Sequence, residues 1–185
     1  MAKLDEMEKV LADAQFSINV INLFSPPKDF NYGKINSRAL VDREATNLRK
    51  AMTEQGMKPF SIENMIPIVI ARRHVDPTCI TSGMNAYNAP DLKLSVEGMK
   101  ELRELELAGG RHRVAAMKQL HDIKMTEVTE VHKKMITMEN KKLDEQFDQR
   151  KKDMTVQAYR NLEAKKEKEV DELGRWGVVL YDKGK

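Results

Sequence analysis

Leu105-Glu106-Leu107-Ala108-Gly109-Gly110-Arg111-His112-Arg113-Val114-Ala115-Ala116 is the stretch on which the fold turns. Apolar residues lead up to two successive glycines, and Val114, Ala115, Met117, Leu120 and Ile123 follow at helical spacing. The pattern predicts a strand near 104–108, a tight turn at the glycines and a helix from Arg111 onward. Glycines allow backbone angles that other residues avoid, and they let a ligand approach the main chain. The first amides of a helix point out of its start with the positive end of the dipole behind them, which suits an anion. Arg111, His112 and Arg113 bring three donor-bearing side chains to the same place. Arginine offers a fork matched to phosphate oxygens, and histidine shifts protons near neutral pH. The same residues also read as a plain helix start with exposed arginines and glycines that serve only the turn.

Upstream, the pattern alternates helices with short strands. Leu4, Met7, Leu11 and Ala14 predict an N-terminal helix over 1–15, and 16–24 reads as a half-buried strand. Ser25-Pro26-Pro27 is expected to stop that strand, because proline cannot donate to a sheet ladder. Residues 28–36 read as loop. From Asp42 to Gln55 a helix is expected, with Ala45, Leu48 and Met52 on one face, Asp42 as N-cap and Gly56 as the stop. Met65–Ile70 is a β-branched run of strand length, 72–77 a turn, and 81–98 the least ordered-looking stretch.

Downstream the texture changes. Residues 132–175 hold twelve basic and ten acidic residues and no proline, which predicts one long charged helix or two packed back to back. Val128, Val131, Met135 and Met138 keep 3–4 spacing, and Phe147, Met154, Ala158 and Leu162 resume it. A heptad pattern fails near Lys142 and Glu145. Gly174–Tyr181 reads as a glycine-flanked terminal strand. The fold class that follows is α+β: a small mixed sheet with helices, then a long charged helical arm. The expected divisions are a helix at 1–15, a domain over 16–122, the arm at 123–175 and a strand at 176–185.

Composition excludes several classes. With 32 basic and 29 acidic residues the net charge is +3, too balanced to support nucleic-acid binding by bulk electrostatics. The single cysteine, Cys79, excludes an intramolecular disulfide framework and a cysteine-rich zinc site. Met1–Lys9 lacks the apolar core of a secretory signal, and no window approaches the roughly 18 apolar residues of a membrane span. An intracellular protein, cytoplasmic or nuclear and without membrane partners, is therefore expected.

The spacing Gly109-Gly110-Arg111-His112-Arg113-Val114-Ala115-Ala116 resembles the Gly-Gly-x-His-Arg-x-Ala-Ala motif of sulfiredoxins. More loosely it is similar to the Gly-Glu-Arg-Arg motif of ParB proteins, which belong to the same superfamily. Ile35-Asn36-Ser37-Arg38 resembles the box that opens ParB domains, and helix 42–55, Gly56 and Ile66-Pro67-Ile68-Val69 follow in the matching order. The resemblance covers roughly residues 16–122 and extends to ParB/sulfiredoxin-like proteins of eukaryotes such as fungi. It implies a domain that binds ATP or CTP, with magnesium. Gly109, Gly110, His112 and Arg113 would contact phosphate with Arg111 beside them, and Arg38 would be a second clamp. Hydrolysis or phosphotransfer is the chemistry left open. Sulfiredoxins carry their catalytic cysteine where Arg111 stands, and Cys79 lies about thirty residues earlier, so sulfinic acid reduction is not expected. No helix-turn-helix is evident after the motif, which argues against ParB-type centromere binding.

Other residues carry paired readings. Asp42 and Glu44 are candidates for a magnesium ion or a base, against simple capping. Arg72-Arg73-His74 reads as extra phosphate contacts or as a basic loop, and His121-Asp122 as metal ligands or as a pair at a helix C-terminus. Met117, Met125, Met135 and Met138 read as core or helix packing, and Trp176 as a packing anchor. The arm, 125–173, is a candidate surface for self-association or a protein partner. The competing function is thus an interaction or DNA-associated protein whose nucleotide site is vestigial.

Overall fold

The computed structural model describes residues 13–32, 39–81, 86–141 and 149–184. Five strands form one mixed sheet: β1 (Gln15–Asn22), β2 (Asp29–Asn31), β3 (Ile66–Ile70), β4 (Glu104–Leu107) and β5 (Arg175–Asp182), in the spatial order β1-β5-β3-β4-β2. β1 and β5 run antiparallel, as do β3 and β4, whereas β5 lies parallel to β3 and β2 parallel to β4. The helices are α1 (Asp42–Gln55), α2 (Val96–Glu101), α3 (Arg111–Glu139) and α4 (Gln149–Leu173). The expected α+β class with a small mixed sheet and long charged helices is what the chain forms. Most of the expected N-terminal helix lies outside the described residues; Asp13 and Ala14 are helical.

Contacts divide the chain into two compact units: Met1–Ala116 together with Gly174–Lys185, and Met117–Leu173. In the first unit the β-branched residues of β3 face both sides of the sheet, and Ile66, Ile68 and Ile70 are almost fully buried. Ile18 and Val20 of β1, Leu105 and Leu107 of β4, and Trp176, Val178 and Leu180 of β5 complete the apolar centre. Each such side chain contributes about 2 kcal/mol on leaving water. Trp176 is the expected anchor: its ring is buried and its Nε1–H donates to the Asn64 carbonyl at 2.9 Å.

Several local expectations need correction. β1 ends at Asn22, before the prolines, where the Asn22 carboxamide oxygen accepts from the Phe24 and Ser25 amides and turns the chain. The expected loop at 28–36 contains β2, which finds its ladder on β4, more than seventy residues away, where no local pattern could announce it. Asp42 is the first residue of α1 and does not cap it; Val41 is the N-cap and no side chain caps there. Gly56 does end the helix, at φ 81°. At the end of the 81–98 stretch the chain enters α2, whose N-cap Ser95 accepts from the Gly98 amide at 3.0 Å.

The second unit is an antiparallel helical pair, the two-helix version of the expected arm. Glu127 meets Lys166, His132 meets Glu163 and Glu139 meets Arg160, at 2.7 Å in each case. Val128, Val131 and Met135 are buried, but Ile123 and Met125 are 41% exposed. On α4 the buried apolar residues are Val156, Val170 and Leu173, while Met154, Ala158 and Leu162 face solvent. The apolar spacing misleads because the inward face of α4 carries Glu163 and Lys166, which meet His132 and Glu127 across the pair. Phe147 and the positions of heptad failure, Lys142 and Glu145, lie outside the described residues.

Candidate functional site

β4 runs out at Leu107, and the Ala108 amide donates to the Pro67 carbonyl at 2.9 Å, which holds the chain against β3 as it turns. Gly110 adopts φ 80°, the left-handed region that favours glycine. A Cβ there would also lie 3.1 Å from Ile66 Cγ1, and one on Gly109 3.1 Å from Pro67 Cγ. Packing against β3 therefore accounts for both glycines without a ligand.

The first hydrogen bond inside α3 runs from the Val114 amide to the Gly110 carbonyl, at 2.9 Å. The amides of Arg111, His112 and Arg113 precede it and have no acceptor within the helix. The three basic side chains diverge from one another. The Arg111 guanidinium lies 5.1 Å from the centroid of the Tyr32 ring. Burial pushes the Tyr32 hydroxyl above its ordinary pKa, and the Arg111 charge pulls it the other way. His112 Nε2 accepts from the Val41 amide at 3.0 Å and lies 3.2 Å from Glu44 Oε2. This contact brings the first turn of α1 against the first turn of α3. Arg113 turns inward, and its Nη1 donates to the Met65 carbonyl at 3.4 Å. Arg38 lies outside the described residues.

Arg72-Arg73-His74 does not join this turn. It follows the C-terminal end of β3, whereas the glycines pack on Ile66 and Pro67 at the other end. Its side chains are engaged there: Arg72 over Phe16 at 5.5 Å, Arg73 with Glu97 at 2.8 Å, and His74 with Glu101 at 2.9 Å.

His74, Glu97 and Glu101 offer one ligand atom each, all within 4.8 Å of one another, a metal-capable set that sequence spacing did not reveal. Glu97 and Glu101 stand one helical turn apart on α2; the signal was present, but His74 reaches them only through tertiary contact. A metal on His74 Nε2 would require Nδ1 to carry the proton and donate it. Nδ1 is buried and has no partner among the described residues. Arg73, moreover, already holds the Glu97 carboxylate. The trio therefore fits an ion-paired latch between turn and helix better than a metal centre.

His121 and Asp122 lie within α3, not at its C-terminus, with Nδ1 and Oδ1 3.5 Å apart. Cys79 is buried, with Sγ donating to the Asp76 carbonyl at 3.2 Å. Among the described residues no helix is long and apolar enough to cross a membrane. Compared with protein-family models, curated proteins and solved structures, the chain gives no match.

Proposed function

We propose that the chain binds a nucleoside triphosphate, ATP or CTP with magnesium, at the turn between β4 and α3. The observation that supports this most is the group of first-turn amides of α3, ahead of the Val114–Gly110 bond, with the Arg111 guanidinium beside them over Tyr32. In this reading phosphate oxygens accept from the amides, and Arg111 supplies the countercharge. His112 and Arg113 contribute their amides, because their side chains are turned to Val41 and Met65. The ParB/sulfiredoxin-like assignment belongs to the same reading and rests on the motif spacing and the order of α1, Gly56, β3 and β4. Hydrolysis or phosphotransfer extends it, with Glu44, the carboxylate against His112, as the group available to take a proton.

Titration calorimetry with ATP and CTP, with and without magnesium, tests the proposal. Saturable binding by the native chain is expected, weakened about tenfold or more in Arg111→Ala at an unchanged melting temperature. No heat with either nucleotide refutes it. A second reading, self-association without nucleotide, draws on the solvent-facing row Met154, Ala158 and Leu162 of α4. Concentration-dependent mass in sedimentation equilibrium, abolished by Leu162→Glu, would favour that reading.

A further inference from the structure

A cavity of about 320 Å³ opens in the first unit between the C-terminal half of α1 and the segment that leads into β3. Leu48 and Met52 of α1, Met57, and the buried Trp176 give it an apolar wall, and Lys58 and Arg113 bring cations to it. Arg113 is the unusual member. A guanidinium carries five N–H donors, and the hydrogen bond it makes among the described residues is the long one to the Met65 carbonyl, at 3.4 Å. No described carboxylate lies within ion-pair distance of it; Glu63 lines the same cavity without pairing. Burial alone lowers the Arg113 pKa, with no carboxylate opposing the effect.

A partly desolvated cation is costly to a fold unless something neutralises it. The structure supplies no anion from its own described side chains, yet it places the cation on the wall of a cavity whose remaining lining is apolar on one part (Leu48, Met52, Met57, Trp176) and polar on another (Gln55, Glu63, Asn64). Ligand sites join an apolar surface to fixed polar groups that orient the ligand, and both are present here.

We infer that this cavity is a second ligand site, distinct from the β4–α3 turn, which takes a small organic oxyanion: a phosphate or carboxylate head on Arg113 and Lys58, with a short apolar body against Met52, Met57 and Trp176. The inference does not depend on nucleotide binding at the turn, since it uses the Arg113 side chain and the far half of α1. Glu63 sets the polarity of the entrance and disfavours ligands with negative charge along the body.

The readout is built in, because Trp176 is the only tryptophan in the sequence and lines the cavity. Hexyl phosphate, titrated against intrinsic fluorescence, is expected to shift Trp176 emission saturably. Inorganic phosphate, which lacks the body, and hexanol, which lacks the charge, are each expected to bind at least about tenfold more weakly. Arg113→Gln keeps a donor for the Met65 carbonyl and should weaken hexyl phosphate about tenfold or more. Lys58→Glu, at an exposed position, should weaken it severalfold without touching the interior, and Glu63→Gln should leave it unchanged or tighter. Excess ATP with magnesium should not displace the probe. A native chain with no saturable response, equal binding by Arg113→Gln and Lys58→Glu, or equal binding of hexanol overturns the inference. So does inorganic phosphate binding as tightly as the probe. Displacement by ATP would merge the two sites and overturn their separation, and loss of melting temperature in Glu63→Gln would make Glu63 the partner of Arg113 in place of a ligand.

Discussion

Gly98→Ala is expected to destabilise the protein, although alanine ordinarily favours a helix. Gly98 is the third residue of α2, and a Cβ there would lie 2.2 Å from the His74 carbonyl oxygen and 3.0 Å from its carbon. Ordinary contact begins near 3.4 Å, so α2 and the 72–74 turn must separate by about 1.2 Å. The atoms met are backbone, which cannot rotate away. Besides the Arg73–Glu97 and His74–Glu101 contacts, two bonds to backbone tie these segments, from the Ser95 amide to the His74 carbonyl at 2.9 Å and from Ser95 Oγ to the Arg73 carbonyl at 2.7 Å. A shift of that size breaks or strains both, at about 1 kcal/mol each, and overpacking adds about 1–3 kcal/mol. The intrinsic helix gain of alanine offsets only about 0.5–1 kcal/mol. The net expectation is a loss of about 2–4 kcal/mol, read from urea unfolding followed by far-ultraviolet circular dichroism. Faster exchange of the Ser95 and Met99 amides should accompany it. A variant as stable as the native chain, or more so, would show that α2 does not sit on the turn and would dissolve the His74–Glu101 pairing as well.

Other expectations follow from the packing. Trp176→Phe gives up the hydrogen bond to Asn64 and part of a filled volume, and should lose about 2–3 kcal/mol in thermal unfolding. A chain ending at Gly174 lacks β5, the strand between β1 and β3, and should show no cooperative unfolding of the sheet; a retained sharp transition would contradict the strand order. Glu127 is held below the ordinary carboxylate pKa, chiefly by its hydrogen bond from Lys166; desolvation is the next effect and opposes it, and the hydrogen bond and charge of Lys124 add to the lowering. A depressed carboxylate stabilises above its unfolded pKa of about 4.3 and loses that contribution as pH falls through the folded value. Melting temperature should therefore fall less steeply below about pH 4 in Glu127→Gln, by an amount worth under about 1 kcal/mol for so exposed a pair.

The legible parts of this fold were those with a local cause. The β-branched run at 66–70, the glycine stop at 56 and the strand–glycine–helix turn at 104–111 each carry their own reason in neighbouring residues. β2 and α2 escaped notice because one is three residues of ladder borrowed from β4, and the other is six residues fixed by contact with His74. The charged arm was legible as helix but not as to its inward face, since the cross-helix ion pairs occupy positions where periodicity looks for leucine. At the turn, the glycines and three basic residues were readable, but the divergence of their side chains was not. His112 answers to Val41 and Arg113 to Met65, partners 71 and 48 residues away.

The position of β5 bears on how the chain reaches this state. Ile18 pairs with Val179, roughly 160 residues along the chain, and contacts of that separation close slowly because the intervening chain must first be ordered. The helical pair between β4 and β5 makes its own contacts over much shorter spans, such as Glu127 with Lys166. An antiparallel pair that closes early leaves less unordered chain between β4 and β5 for the sheet to close over. Such a clip predicts that substitutions in the helix–helix contacts, such as Lys166→Ala, slow refolding of the sheet in stopped-flow circular dichroism, even though none of them touches a strand.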